Sequence, residues 1–67
     1  MKYAQIYRVF KDGKHIATFS HVQGGGYWFL TIENELTNVW ETRVYKTESA
    51  MNAQITRLTK CFLRVYG

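Results

Sequence analysis

The sequence predicts an α+β domain: a four-stranded antiparallel sheet of two hairpins, with one C-terminal amphipathic helix packed on one face. Two patterns predict it. Strand-forming residues alternate through residues 2–45 and are punctuated by Asp12-Gly13 and by Gly24-Gly25-Gly26. From Thr47 the apolar period becomes helical, with Met51, Ile55, Leu58, Phe62 and Val65 at spacings of four, three, four and three. A chain of 67 residues is then a single domain spanning 1–67, near the lower size limit for folding without a disulfide or structural metal.

The elements follow in order. Residues 2–10 are rich in Tyr, Ile, Val and Phe and read as the first strand. Lys11-Asp12-Gly13-Lys14 reads as a hairpin turn, because Asp-Gly accepts the positive φ angles of tight loops. Residues 15–22 return, and Gln23 to Gly26 form a flexible loop. Tyr27 to Glu33 is the clearest strand, with Trp28, Leu30 and Ile32 on one face and Tyr27, Phe29 and Thr31 on the other. Asn34 to Asn38 is a polar turn and Val39 to Tyr45 the fourth strand. The helix starts near Thr47, an N-cap, with Glu48 in the first turn and Lys60 and Arg64 toward the end, each sign matched to the helix dipole.

Composition narrows the class. Two Trp, five Tyr and four Phe supply large buried areas per residue, which makes so small a core viable. A lone Cys61 forms no internal disulfide, so the chain does not read as a secreted cysteine scaffold. The N-terminal residues alternate rather than form an apolar block, against a signal peptide, and no apolar run is long enough to span a bilayer. The expected setting is a reducing, cytoplasmic one, with no membrane partner. Net charge is +4 and uneven: the last nineteen residues carry Arg57, Lys60 and Arg64 and no acid. That balance favours acidic partners without naming one.

Two surfaces emerge as candidates for contact. Ala53, Arg57, Lys60 and Arg64 lie opposite the apolar stripe of the helix, where three cations suit phosphates or an acidic protein surface. The alternative is a solvated face that keeps a small protein in solution. On the sheet, one helix covers one face, so Tyr27 and Phe29 point away from it, together with some of Tyr3, Tyr7, Val9 and Ile16. An uncovered aromatic face serves to stack bases, to bury against a second copy or to anchor a protein. The alternative is a curled sheet that encloses the rings. Lys11, Lys14 and Arg43 are secondary basic contacts.

Chemistry is poorly represented. The run Gly24-Gly25-Gly26 precedes a strand, not the helix N-terminus that a phosphate-binding loop needs, and reads as a mobile hairpin connection next to Tyr27 and Trp28. His15 and His21 share one strand face but stand roughly 20 Å apart. With one thiol, no recognised zinc set assembles. Cys61 beside the apolar stripe reads as a small core residue rather than a nucleophile. Glu33, Glu35 and Glu41 read as solvated charges around a turn, in a domain too small to offer much concavity. No catalytic residue, metal or cofactor is therefore assigned, and the chain does not read as an enzyme.

The plan, a compact basic domain without a catalytic set, is similar in style to many small proteins encoded by phages and mobile elements. That likeness implies an inhibitor that occupies a host nucleic-acid-handling or defence complex. The leading expectation is a binding protein that occupies a protein or nucleoprotein partner through Tyr27, Phe29, the Gly24–Gly26 loop and the cations Arg57, Lys60 and Arg64. The rival is direct DNA or RNA binding through the basic helix and aromatic sheet, although Glu33 and Glu41 oppose phosphate nearby. A homodimer through the sheet is a third use of the same face.

Overall fold

A computed structural model describes the backbone of residues 3–66 and the side chains of residues 6–65. Strand β1 (Tyr3–Lys11), β2 (Lys14–Gly24), β3 (Tyr27–Asn34) and β4 (Val39–Tyr45) precede one helix, α1 (Glu48–Tyr66). The strands form an antiparallel meander in the order β1-β2-β3-β4, which leaves β1 and β4 at the edges. This is the expected α+β fold. Tyr3, named above for the uncovered face, lies outside the residues whose side chains are described.

Local sequence accounts for each turn. Asp12 and Gly13 have φ of 52° and 78°, the two successive positive angles that suit a tight hairpin to strand twist. Gly25 and Gly26 repeat that pattern at 59° and 81°. The expected flexible loop over Gln23–Gly26 is therefore corrected: Gly24 belongs to β2, pairs with Tyr27, and leaves a two-residue turn. In the third turn, Asn34 Oδ1 accepts hydrogen bonds from the backbone N–H of Leu36 and Thr37 at 3.0 and 3.2 Å. Asn38 closes that turn at a φ of 61°, a conformation asparagine tolerates.

A bulge in β2 decides which residues enter the core. Val9 pairs with Ala17 but Phe10 pairs with His15, so Ile16 is an extra residue opposite β1. Ile16 and Ala17 are consecutive yet both buried, which strict alternation forbids. Beyond the bulge Phe19 and His21 face the helix, while Thr18 and Ser20 take the other face. His15 joins that other face, its Nε2 2.8 Å from Thr18 Oγ1 and its ring stacked on Phe10 at 5.2 Å. The expectation that His15 and His21 share a face is thus overturned, because the extra residue inverts the parity between them.

The core lies between α1 and strands β1–β3: Val9, Ile16, Ala17, Phe19, Leu30 and Ile32 meet Met51 and Ile55. Phe62 sets its ring against Phe19 at 5.9 Å, edge to face. Trp28, Leu30 and Ile32 lie beneath the helix as expected. Tyr7, Val9 and Ile16 do not join Tyr27 and Phe29 on the far face; the register of β1 and the bulge turn them into the core. Val65 also departs from expectation at 63% exposed, outside the core cluster. Leu63 packs on the core instead.

Thr47 caps α1. Its Oγ1 accepts from the Ala50 N–H at 3.1 Å and its carbonyl accepts from Met51 N–H at 3.2 Å. Thr47→Ala should cost about 1 kcal/mol, the usual value of a lost N-cap. Equilibrium urea unfolding of both proteins measures it, and an unchanged midpoint would mean that the cap is energetically idle.

Candidate binding surfaces

The face of the sheet turned away from α1 carries three cross-strand rows. Val22, Phe29 and Val44 pair in succession across β2, β3 and β4. Ser20, Thr31 and Thr42 form the next row, with Thr31 and Thr42 hydroxyl oxygens 3.2 Å apart. Arg8, Thr18, Glu33 and Trp40 form the third. Phe10 and His15 stack near the first turn. Ile6 pairs with Ser20 in the hydroxyl row, and the open face leaves Ile6, Phe10, Tyr27, Trp40 and Val44 exposed around it.

Tyr27 stands opposite Gly24, which offers no side chain to cover its ring, and it is 45% exposed. Phe29 is half-buried between Val22 and Val44. The turn at Gly25 and Gly26 borders this patch. Arg57, Lys60 and Arg64 are all exposed on the side of α1 that faces away from the sheet. They therefore lie across the molecule from Tyr27 and Phe29, and a partner touching both sets has to wrap around the domain.

The secondary cations have separate surroundings. Lys11 and Lys14 face each other across the first turn. Arg43 lies on the helix side of β4, where its Nη2 donates to Glu41 Oε1 at 3.0 Å. Hydrogen bonds to Glu41 and then to Tyr45 raise its already high pKa. Its charge is partly compensated, which weakens it as a phosphate contact. Glu41 thus belongs to this pair on the helix side, while Glu33 and Glu35 line a separate small cavity of about 70 Å³ at the third turn.

Strand β4 carries a surface that the sequence reading missed. No described residue of β4 is buried, and Val39 and Trp40 are 66% and 67% exposed, with Val44 at 56%. On its helix-facing side Glu41 and Arg43 stand beside Ile32 and Leu30 of β3, and on the open face Trp40 and Val44 have a neighbouring strand on one side only. Between β4 and the second half of α1 lies a groove of about 520 Å³, lined by Ile32, Val39, Trp40, Glu41, Leu58 and Phe62 among others. The expectation of little concavity is corrected accordingly. The signal available beforehand was position: the last strand of a meander is an edge, so its apolar residues have a neighbour on one side only.

No protein-family model, curated protein or solved structure matches the chain.

The titratable groups do not converge. His21 is 4% exposed, with Tyr7 and Trp28 rings at 6.0 and 5.8 Å, and its Nδ1 has no hydrogen-bond partner among the described residues. Cys61 is half-buried beside Asn34, Phe62 and Val65. His21 pairs with Leu30, and Asn34 lies four positions further along β3, ~13 Å at strand rise. Among the described residues, no three His, Cys, Asp or Glu side chains group to hold a metal ion. No helix among them is long and apolar enough to cross a membrane.

Proposed function

We propose that this protein is a non-catalytic binding module that acts by covering part of a protein or nucleoprotein partner with the open face of its sheet. The observation that carries this reading is the apolar patch at the second turn: Tyr27 exposed beside Gly24, and Phe29 between Val22 and Val44, with α1 on the opposite side. Large apolar patches on a small domain mark contact sites, because water-exposed rings gain most from a second surface. Occupation of a host nucleic-acid-handling complex in the cytoplasm fits such a module, whose work is exclusion rather than chemistry.

Direct nucleic-acid binding has weaker support. Base stacking needs rings and phosphate-neutralising cations along one path. Here the rings of the open face and the cations of α1 lie on opposite sides, and Glu33 shares the face with Arg8.

The test replaces both Tyr27 and Phe29 by Ser. Thermal unfolding should move modestly, since cross-strand pairs on the open face contribute roughly 0.2–1 kcal/mol each. Crosslinked capture of a specific protein from nuclease-treated host lysate should be lost. Unchanged capture, or retention of nucleic acid alone with steep salt dependence, would remove the proposal.

A further inference from the structure

We infer that the protein forms a symmetric dimer through strand β4, with two copies pairing edge to edge in antiparallel register about Thr42.

The two edges of the sheet are treated differently. The β1 edge is interrupted by a register shift between Tyr3 and Gln5, where β1 has the extra residue, and carries Arg8 and Lys11. Bulges and basic side chains are the usual means of keeping an edge from pairing with another chain. The β4 edge has no bulge: its pairing with β3 runs without a shift from Trp28–Tyr45 to Asn34–Val39, and its basic residue, Arg43, is paired with Glu41. It also concentrates Val39, Trp40 and Val44, three of the most exposed apolar side chains. An edge that is straight, largely apolar and carries one acid and one base is suited to a partner strand of matching charge order.

The residue order of β4, Val-Trp-Glu-Thr-Arg-Val-Tyr, says which strand fits it. Place a two-fold axis at Thr42 and pair the strand with its own copy. Glu41 then stands opposite the partner's Arg43, and Arg43 opposite the partner's Glu41. On the open face Trp40 meets the partner's Val44, and Thr42 meets the partner's Thr42. Val39 meets the partner's Tyr45 on the helix side. Each residue faces one of complementary kind on its own face of the sheet, and opposed unlike charges and apolar pairs are the contacts that stabilise antiparallel strands.

The registers nearest to this one fail on the same residues. An axis at Glu41 sets Glu41 against the partner's Glu41, and an axis at Arg43 sets arginine against arginine. A shift that pairs odd with even positions sends half of the side chains to the wrong face. The isologous arrangement also gives the groove an occupant. The partner's Tyr45 stands opposite Val39, and the partner's Arg43 opposite Glu41, both of which line that groove. The product is a continuous eight-stranded sheet with both helices on one side. The open faces adjoin, so the dimer enlarges the proposed docking surface without depending on it.

Charge exchange tests this directly. Sedimentation equilibrium of the native chain from micromolar to millimolar concentration should give a dimer. Glu41→Arg alone and Arg43→Glu alone each oppose like charges twice across the axis and should weaken dimerisation about tenfold or more. The double variant E41R/R43E restores unlike pairs and should recover it. Neither side chain is buried, with Glu41 56% and Arg43 40% exposed, so circular dichroism should show native secondary structure in all three variants. A native chain that stays monomeric overturns the inference, including one whose β4 takes up an unrelated peptide strand. So does a dimer indifferent to the single reversals, as one formed through Tyr27 and Phe29 would be. Partner capture by the Tyr27 and Phe29 variant is read separately, so either proposal can fail alone.

Discussion

Phe19→Ala should leave the protein largely unfolded at room temperature. Phe19 is 0% exposed at the centre of β2, pairs with Tyr7 on one side and Ile32 on the other, and meets the Phe62 ring. Removing a buried phenyl ring commonly costs about 3–5 kcal/mol, part lost transfer energy and part the cavity that remains. A domain this small has few neighbouring side chains to collapse into that space. Total stability of small domains begins near about 5 kcal/mol, so the loss approaches the whole. Far-ultraviolet circular dichroism with urea titration gives the answer. A variant that retains a cooperative transition within about 1 kcal/mol of the native one would show that the core is not organised around this ring. The contrast with Phe29 is the informative part: the same residue type ten positions later, on the open face, should be far cheaper to remove.

Met51→Ala should produce the second largest effect, about 2–5 kcal/mol. Met51 is fully buried in the first turns of α1 and is the helix residue most enclosed by the sheet. An isolated helix of nineteen residues is only marginally stable in water, so α1 depends on docking through Met51, Ile55, Leu58 and Phe62. The sheet depends on α1 in turn, because Leu30 and Ile32 are buried in one cluster with Met51 and Ile55. Helix and sheet signals should therefore fall together in one transition at lower urea. If the helix signal melts first while near-ultraviolet signals of Trp28 persist, the two layers are not one cooperative unit.

Much of this was legible because it is local. The turn at Asp12-Gly13, the bounds of β4, the Thr47 cap and the 3.6-residue period of α1 each follow from residues within one turn of each other. So did the outward placement of Tyr27 and Phe29, since β3 alternates without interruption. The count of one helix against one sheet was enough to say that a face stays open.

What the tertiary structure alone decided turns on pairing between strands. The bulge at Ile16 depends on which residue of β1 lies opposite, and no window of β2 contains that information; it sent Ile16 inward and separated His15 from His21. The strand order made β4 an edge, and only then did Val39, Trp40 and Val44 become exposed rather than enclosed. The docking of α1 on the sheet left Val65 outside the core and a groove beside Glu41. Sequence alone determined the elements and their apolar faces, because backbone conformation and side-chain period are set by near neighbours. Register, edge and coverage required the fold, because they are set by contacts between residues far apart in the chain.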